Sequence, residues 1–222
     1  MRRFLLVFDL DGTLVDSAPD LRAALNQMLR ERSHPALSLP QVKRMVGDGA
    51  PAMVARALAA SGADPADAAG ALSRFLEIYE ANPVRLTRPY PRVPETLTTL
   101  RRQGYRTAIC TNKPQRATIA VLDGLGLSEL FDGIAGGDRF PVRKPDPGHL
   151  LGLISELGGL ARASALIGDN ENDAAAARAA RIPLVLMRYG YARVDPESLA
   201  ADALLDHFDE LPRALARLHL SP

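Results

Sequence analysis

Asp9 and Asp11 stand two positions apart, where the apolar run of residues 4–8 gives way to Gly12-Thr13. A short apolar run with Phe and Val in it, ended by a Gly-containing turn, reads as a strand buried on both faces. Such strands belong to parallel sheets covered by helices. At i and i+2 the two side chains can point the same way, past the carboxyl end of the strand. Carboxylates held that close repel unless a cation or a shared proton separates them. Hard oxygen donors of this kind suit Mg²⁺. The plain alternative is a strand-to-turn junction, where Asp and Gly are common.

Further groups of complementary chemistry recur down the chain. Thr111-Asn112 follows the expected strand at 105–110, and Arg143-Lys144-Pro145 follows in the loop after the next one. Asp169, with Asp173 four residues on, follows the run 164–167. Ligands of open α/β sheets bind outside the carboxyl ends of the strands, where all these residues would fall. Together they offer carboxylates for a cation, a hydroxyl and an amide for phosphate oxygens, and one fixed positive charge. That set meets the needs of phosphoryl transfer.

The elements that must position these groups follow from periodicity. Apolar residues at helical spacing predict a helix over 18–32, with Ser17 or Asp16 as cap and Pro19 in its first turn. Two more helices are expected over 42–61 and 66–81, interrupted at Gly47-Asp48-Gly49 and Gly62. Nothing from 16 to 83 reads as a strand, so this block is expected to be a small all-helical cap domain, ended by Asn82-Pro83. The remainder, 1–15 and 84–222, is the expected catalytic core. Helices are expected over 94–103, 115–124, 147–157, 171–180 and 211–218, and strands over 105–110, 133–135, 164–167 and 182–187. Asp146-Pro147 supplies an N-cap and a first helical residue. Alternating strands and helices predict a doubly wound parallel α/β sheet.

Composition sets limits on partners. With Lys+Arg 27 against Asp+Glu 26 the net charge is +1, which leaves no basic footprint for nucleic acid. No stretch is long and apolar enough to predict a membrane span. Arg2-Arg3 imitates the start of an export signal, but the apolar run after it stops at Asp9. A single cysteine excludes a disulfide within these 222 residues and fits a reducing, cytoplasmic setting. The expected partner is a small phosphate ester, met by a monomer or homodimer.

Asp9-x-Asp11-Gly-Thr, Thr111-Asn, Lys144-Pro and Gly168-Asp169-x₃-Asp173 resemble, in order, the four motifs of the haloacid dehalogenase superfamily. Thr111-Asn-Lys-Pro, Gly136-Gly-Asp and Arg143-Lys-Pro are especially similar to its bacterial phosphoglycolate phosphatases. The resemblance implies Asp9 as the nucleophile that becomes a phosphoaspartate, and Asp11 as the acid and base for the leaving group and water. It implies Mg²⁺ held by Asp9, the backbone carbonyl of Asp11 and Asp169, with Asp173 behind them orienting a metal-bound water or Lys144. Thr111, Asn112, Lys144, Gly12 and Thr13 would contact the substrate. Asp11 favours phosphate chemistry, since dehalogenases lack an acid there, and Gly12-Thr13 departs from the Asp-Lys-Thr-Gly-Thr run of transport ATPases. Two positions depart from the phosphatase pattern: Asn170 stands where Ser is usual, and Arg181 where Gly is usual. Other metabolite phosphatases (for a sugar phosphate or pyrophosphate), a phosphomutase and a non-catalytic phosphate-binding module share this scaffold. An intact Asp11 counts against the last.

Selectivity is expected from the helical block. Gly47-Asp48-Gly49-Ala50 precedes a helix with Pro51 in its first turn, and helix N-termini present free amides to anions. Gly49 is therefore expected beside the leaving group, with Arg44 or Arg56 assisting at a carboxylate. Other patterns carry less. Cys110-x₅-Arg116 has cysteine-phosphatase spacing, but Pro114 lacks the N–H that such a cradle needs. Gly47-x-Gly49-x-x-Ala52 imitates a dinucleotide fingerprint without the strand that should precede it. His34, His149, His207 and His219 have no metal-ligand spacing. Arg188-Tyr-Gly-Tyr191 reads as a strand exit with only a weak signal of proximity to the site.

Overall fold

The computed structural model describes residues 4–222; the Arg2-Arg3 pair lies outside them. The chain order is β1 (Leu5–Phe8), β2 (Val15–Asp16), α1 (Ala18–Arg30), α2 (Leu39–Lys43), α3 (Ala50–Ser61), α4 (Ala68–Ala81), β3 (Arg88–Pro89) and α5 (Val93–Arg102). It continues β4 (Arg106–Cys110), α6 (Gln115–Gly124), β5 (Gly133–Ala135), α7 (Pro147–Glu156), β6 (Ser164–Gly168), α8 (Glu171–Ala180), β7 (Leu184–Met187), β8 (Ala203–Leu205) and α9 (Leu211–Arg217). Six strands form one sheet in the order β5-β4-β1-β6-β7-β8, every pair parallel. From β1 the chain winds first to β4 and β5, then returns to β6 on the other side. The crevice above β1 is therefore the switch point of a doubly wound sheet, as the alternating pattern predicts.

The residues of β1 alternate between two apolar layers. Leu6 and Phe8 join Ile109, Ile167 and Val185 on the face covered by Val93, Leu97, Phe208 and Leu215. Leu5 and Val7 join Ala108, Leu166 and Leu184 on the opposite face, against Leu150, Leu153, Ala174 and Ala177. The alanines of α8 let that helix sit close to the sheet, which brings its N-terminal residues down to the carboxyl end of β6. Asp146 caps α7 by accepting from the Gly148 N–H at 2.8 Å. Arg181 ends α8 in the left-handed region, φ 55 and ψ 45, at a cost of about 1–2 kcal/mol that Gly would avoid.

Helices α1, α3 and α4 pack together over the site edge through Leu21, Leu25, Met53, Leu58, Phe75 and Tyr79. The expected helix over 42–61 is two: α2 starts earlier, at Leu39, and residues 44–49 are not helical. The Ser38-x-x-Gln41 cap signature accounts for the early start, with Gln41 Oε1 accepting from the Ser38 N–H at 2.9 Å. Gly47 and Gly49 at φ 118 and φ 88 account for the interruption. Two strand features were not legible: β8 at the sheet edge, and the antiparallel bridge of β2 with β3 where the chain leaves and re-enters the sheet layer. Two-residue strands, one ending in Pro89, produce no period to read.

Beside that bridge, buried Asp20 ties the start of α1 to the returning chain. Its carboxylate accepts from Leu86 N at 2.8 Å, Thr87 N at 2.7 Å and Thr87 Oγ1 at 2.8 Å. Asp20→Ala leaves these donors buried without an acceptor, and should lower unfolding free energy by about 2–4 kcal/mol. Urea denaturation with an unchanged m-value is the measurement; a loss below about 0.5 kcal/mol would refute the assignment.

Candidate active site

Three adjacent strand ends, those of β4, β1 and β6, deliver the polar residues. Asp9 continues the ladder of β1 by donating its N–H to Ile167 O at 2.9 Å, which holds its carboxylate at the sheet edge. The chain then turns at Gly12, φ 92, whose N–H donates to Val15 O. Asp169 leaves β6 directly opposite. A Cβ on Gly12 would lie 2.4 Å from Asp169 Oδ2, and one on Gly190 would lie 2.2 Å from Asp169 Cβ. Only hydrogen fits at either position. Asp169 is locked by Thr13 Oγ1 on Oδ1 at 2.8 Å and by the Tyr191 N–H on Oδ2 at 2.6 Å. The structure places Gly12 and Thr13, expected at the substrate, against Asp169, with the Thr13 hydroxyl donated to it.

Oxygens of Asp9, Asp169 and Asp173 lie within 4.8 Å of one another, all buried. One ammonium answers them. Lys144 Nζ is 2.7 Å from Asp173 Oδ1 and 3.0 Å from Asp9 Oδ1, the first an aligned hydrogen bond and the second a charge contact alone. Asp173 Oδ2 accepts from the N–H groups of Asp169 and Asn170, so this carboxylate caps α8 and aims Lys144 together. Burial pushes Asp9 up to about 6, against the pull of Lys144 and with a push from Asp173. Burial, Asp173 and Asp9 carry Asp169 well above the carboxylate range. Burial works against the Lys144 ammonium, yet Asp173 and Asp9 raise it. The cluster therefore has an excess of carboxylate charge in a dry place, and its oxygen donors fit a hard divalent cation.

Asp11 faces a different neighbour. Both its oxygens accept from Lys113 Nζ at 3.1 Å, and that ammonium lies 4.5 Å from the ring centre of Tyr79 on α4. Lys113 carried no role in the sequence reading; it was visible only as a charged residue within Thr111-Asn-Lys-Pro. Thr111 is buried at the end of β4 and borders the cleft above Asp9. Asn112 departs from expectation, because its side-chain N–H groups donate to Gly47 O and Lys144 O, each at 2.8 Å. It joins the Lys144 loop to the helical layer, and its side-chain amide has no N–H left for a phosphate.

The loop before α3 closes the cleft. Asn172 Nδ2 reaches Gly47 O at 3.2 Å and Asp48 Oδ1 at 2.6 Å, and Arg193 Nη1 reaches Asp48 Oδ2 at 2.6 Å. Gly47, Gly49 and Ala50 border the cleft. The arginines do not: Arg56 pairs with Asp48 and donates to Met45 O, and Arg44 is exposed. The 188–191 segment, weakly signalled in sequence, touches the site twice. Tyr191 holds Asp169 through its N–H, and its hydroxyl bonds Asp16 Oδ1 at 2.5 Å and accepts from Ala18 N at 3.1 Å. Burial pushes the Cys110 thiol up to about 12, so no thiolate nucleophile exists there. His149 is buried against Gly136 O, held down to about 4 by burial and by Lys144.

A carboxylate-bearing strand end at the switch point, a buried acid cluster and a lysine from the third loop make up a site of one recognisable class. The family model for haloacid dehalogenase-like hydrolases matches residues 5–181. The chain belongs to that family. It is 40% identical over 215 residues to a phosphoglycolate phosphatase of Caulobacter vibrioides, covering 96% of this chain and 91% of the relative. It is 43% identical over 216 residues to one of Cereibacter sphaeroides, covering 96% and 98%. Among solved structures, a predicted phosphoglycolate phosphatase from Haemophilus somnus 129PT superposes with a TM-score of 0.91 at 31% identity, covering 96% and 98%. CbbY from Rhodobacter sphaeroides in complex with phosphate gives 0.78 at 25%, covering 95% and 96%.

Gly190→Ala should displace Asp169 and lower turnover by about 10²-fold while the chain stays folded. Steady-state rates beside a circular-dichroism melt check this; near-wild-type turnover would show that Asp169 needs no such fixed placement.

Proposed function

We propose that this hydrolase is a Mg²⁺-dependent phosphatase of a small phosphate monoester, with 2-phosphoglycolate as substrate and glycolate and phosphate as products. The observation that carries the reading is the arrangement at the end of β1. Asp9 is flanked by Lys144 and the acid cluster, while Asp11, two residues on, faces the cleft where a leaving group would lie. The names of the relatives support the choice of substrate.

Asp9 attacks phosphorus, forming an aspartyl O–P bond as the ester P–O bond breaks. Asp11 gives its proton to the departing alkoxide, then takes one from the water that opens the phosphoaspartate, a role worth about 10²–10⁴-fold. Lys144 lies on the phosphoryl side of Asp9 and balances charge on the transferred oxygens, with the Thr111 hydroxyl beside it. Asp9, the Asp11 backbone carbonyl and Asp169 would hold Mg²⁺, which would neutralise charge on the phosphoryl oxygens. Asp173 keeps Lys144 and Asp169 in register. Residues 16–83 act as a cap that excludes water and selects the leaving group, with 1–15 and 84–222 as the core. All these side chains come from one chain, so a single protomer carries a complete site. The cytoplasm suits its one buried thiol.

Asp9→Asn should fold and bind orthophosphate, yet lose turnover by at least about 10³-fold, since an amide nitrogen does not attack phosphorus. Phosphate release and trapping of an acid-stable, hydroxylamine-labile phosphoenzyme are the measurements. Substantial residual turnover would remove Asp9 as nucleophile.

A pH dependence of cation binding follows from the raised Asp9. In cation-free protein it keeps a proton where the unfolded chain has lost it. Its stabilising contribution is complete below the ordinary Asp value and is lost as pH rises through about 6. A divalent cation on the ionised form offsets that loss, so Mg²⁺ should raise Tm more at about pH 7.5 than at about pH 5. An equal rise at both would show that the cation does not bind these carboxylates.

A further inference from the structure

The cleft between sheet edge and helices has two ends of different character. Its phosphoryl end holds Asp9 and Thr111, with Lys144 behind. Its far end is closed by Leu21, Val46, Met53, Phe75 and Leu76, which offer a leaving group apolar contact and no polar side chain. The cleft is also lined by Lys113, the one cationic side chain bordering it among the described residues, which touches Asp11, and by Tyr79, whose ring lies under that ammonium. Both are nearly inaccessible to solvent, at 6% and 2% exposure. Lys113 uses N–H bonds on Asp11, and an ammonium has three to give. The Tyr79 hydroxyl is buried against that ammonium, and its own O–H has no acceptor. A buried O–H without an acceptor costs about 1–3 kcal/mol, which makes it conspicuous at the wall of a cleft.

We propose that Lys113 and Tyr79 form a subsite for a carboxylate carried by the leaving group, set one or two carbons from the ester oxygen. The proposal rests on the phosphatase reading above and deepens it. An anion entering here accepts an N–H from Lys113 and the O–H from Tyr79, one donor from the core and one from the helical layer. Both groups are then satisfied, and the substrate itself bridges the two layers. An uncharged leaving group of the same size leaves the Tyr79 O–H without an acceptor and gives Lys113 no second one. Sites built to hydrogen-bond a group discriminate strongly against analogues that lack it. The apolar far wall has no partners for the hydroxyls of a sugar, which sets an upper limit on leaving-group polarity as well. Of the two arginines expected for this task, Arg56 is paired with Asp48 and Arg44 is exposed away from the cleft, and Lys113 takes their place.

Ethyl phosphate is 2-phosphoglycolate with the carboxylate replaced by methyl, so the ratio of kcat/KM for the two esters reads the subsite. Lys113→Met should slow both esters, since Lys113 also touches Asp11, but should lower the ratio by about 10²-fold. Lys113→Arg should restore most of it. Tyr79→Phe keeps the ring under the ammonium and does not touch Asp11; it should lower the ratio about tenfold, chiefly through KM for 2-phosphoglycolate. If wild type prefers 2-phosphoglycolate and Tyr79→Phe and Lys113→Met keep its ratio, the subsite is overturned and the phosphatase reading stands. If Lys113→Met fails to fold, an unchanged ratio in Tyr79→Phe overturns it alone. If wild type hydrolyses other phosphate esters without preference for the carboxylate, both the substrate assignment and the subsite fail.

Discussion

Everything at the sheet edge answers one electrostatic problem: three carboxylates, on Asp9, Asp169 and Asp173, are buried together with a single ammonium among them. Such charge is costly in a dry interior unless it is paired, hydrogen-bonded or bound to a cation. The fold meets the cost with fixed donors. Thr13 and the Tyr191 N–H serve Asp169, the N–H groups of Asp169 and Asn170 just before α8 serve Asp173, and Lys144 is shared by Asp173 and Asp9. These attachments dictate local structure well beyond the cluster. They require a Gly at 12 and at 190, a helix that begins within a few residues of β6, and a turn after β1 tight enough to bring Thr13 back to Asp169.

The helical layer is held over this edge by polar contacts with the core. Asn112 is the central piece, because one side chain joins the loop before α3 to the backbone of Lys144. The position of the layer and the position of Lys144 are therefore not independent. Asp48 adds a second attachment through Asn172 and Arg193, paired in turn with Arg56.

What the sequence disclosed and withheld divides along physical lines. The buried strands, the alanine-rich α8, the Asp146-Pro147 cap and the carboxylates at strand ends were legible, because period, propensity and local spacing encode them. The crossing order that puts β4, β1 and β6 side by side follows from the doubly wound pattern. Contacts between distant segments were not legible. Nothing local in Thr111-Asn-Lys-Pro tells that Asn112 turns to Gly47 while Lys113 turns to Asp11 and Tyr79. Thr13 looked like a substrate contact because its motif precedes it; its partner lies 156 residues away. Tyr191 was readable only as the exit of a strand, since its hydrogen bonds to Asp16 and Ala18 span the whole core. Arg181 was the reverse case: an unexpected residue type whose strained backbone could be anticipated from helix termination alone.

One detail of the closing loop bears on how such a protein diversifies. The acceptor that docks this loop is the carbonyl of Gly47, reached by both Asn112 and Asn172. A main-chain oxygen is present whatever the neighbouring side chains are. Val46, Ala50 and Met53, which border the cleft from the same loop and helix, can therefore be exchanged without deleting that contact. Substitutions at these positions can reshape the cleft wall while leaving the closure geometry intact. Separating what recognises from what latches gives a scaffold that drifts in preference with little risk to its assembly.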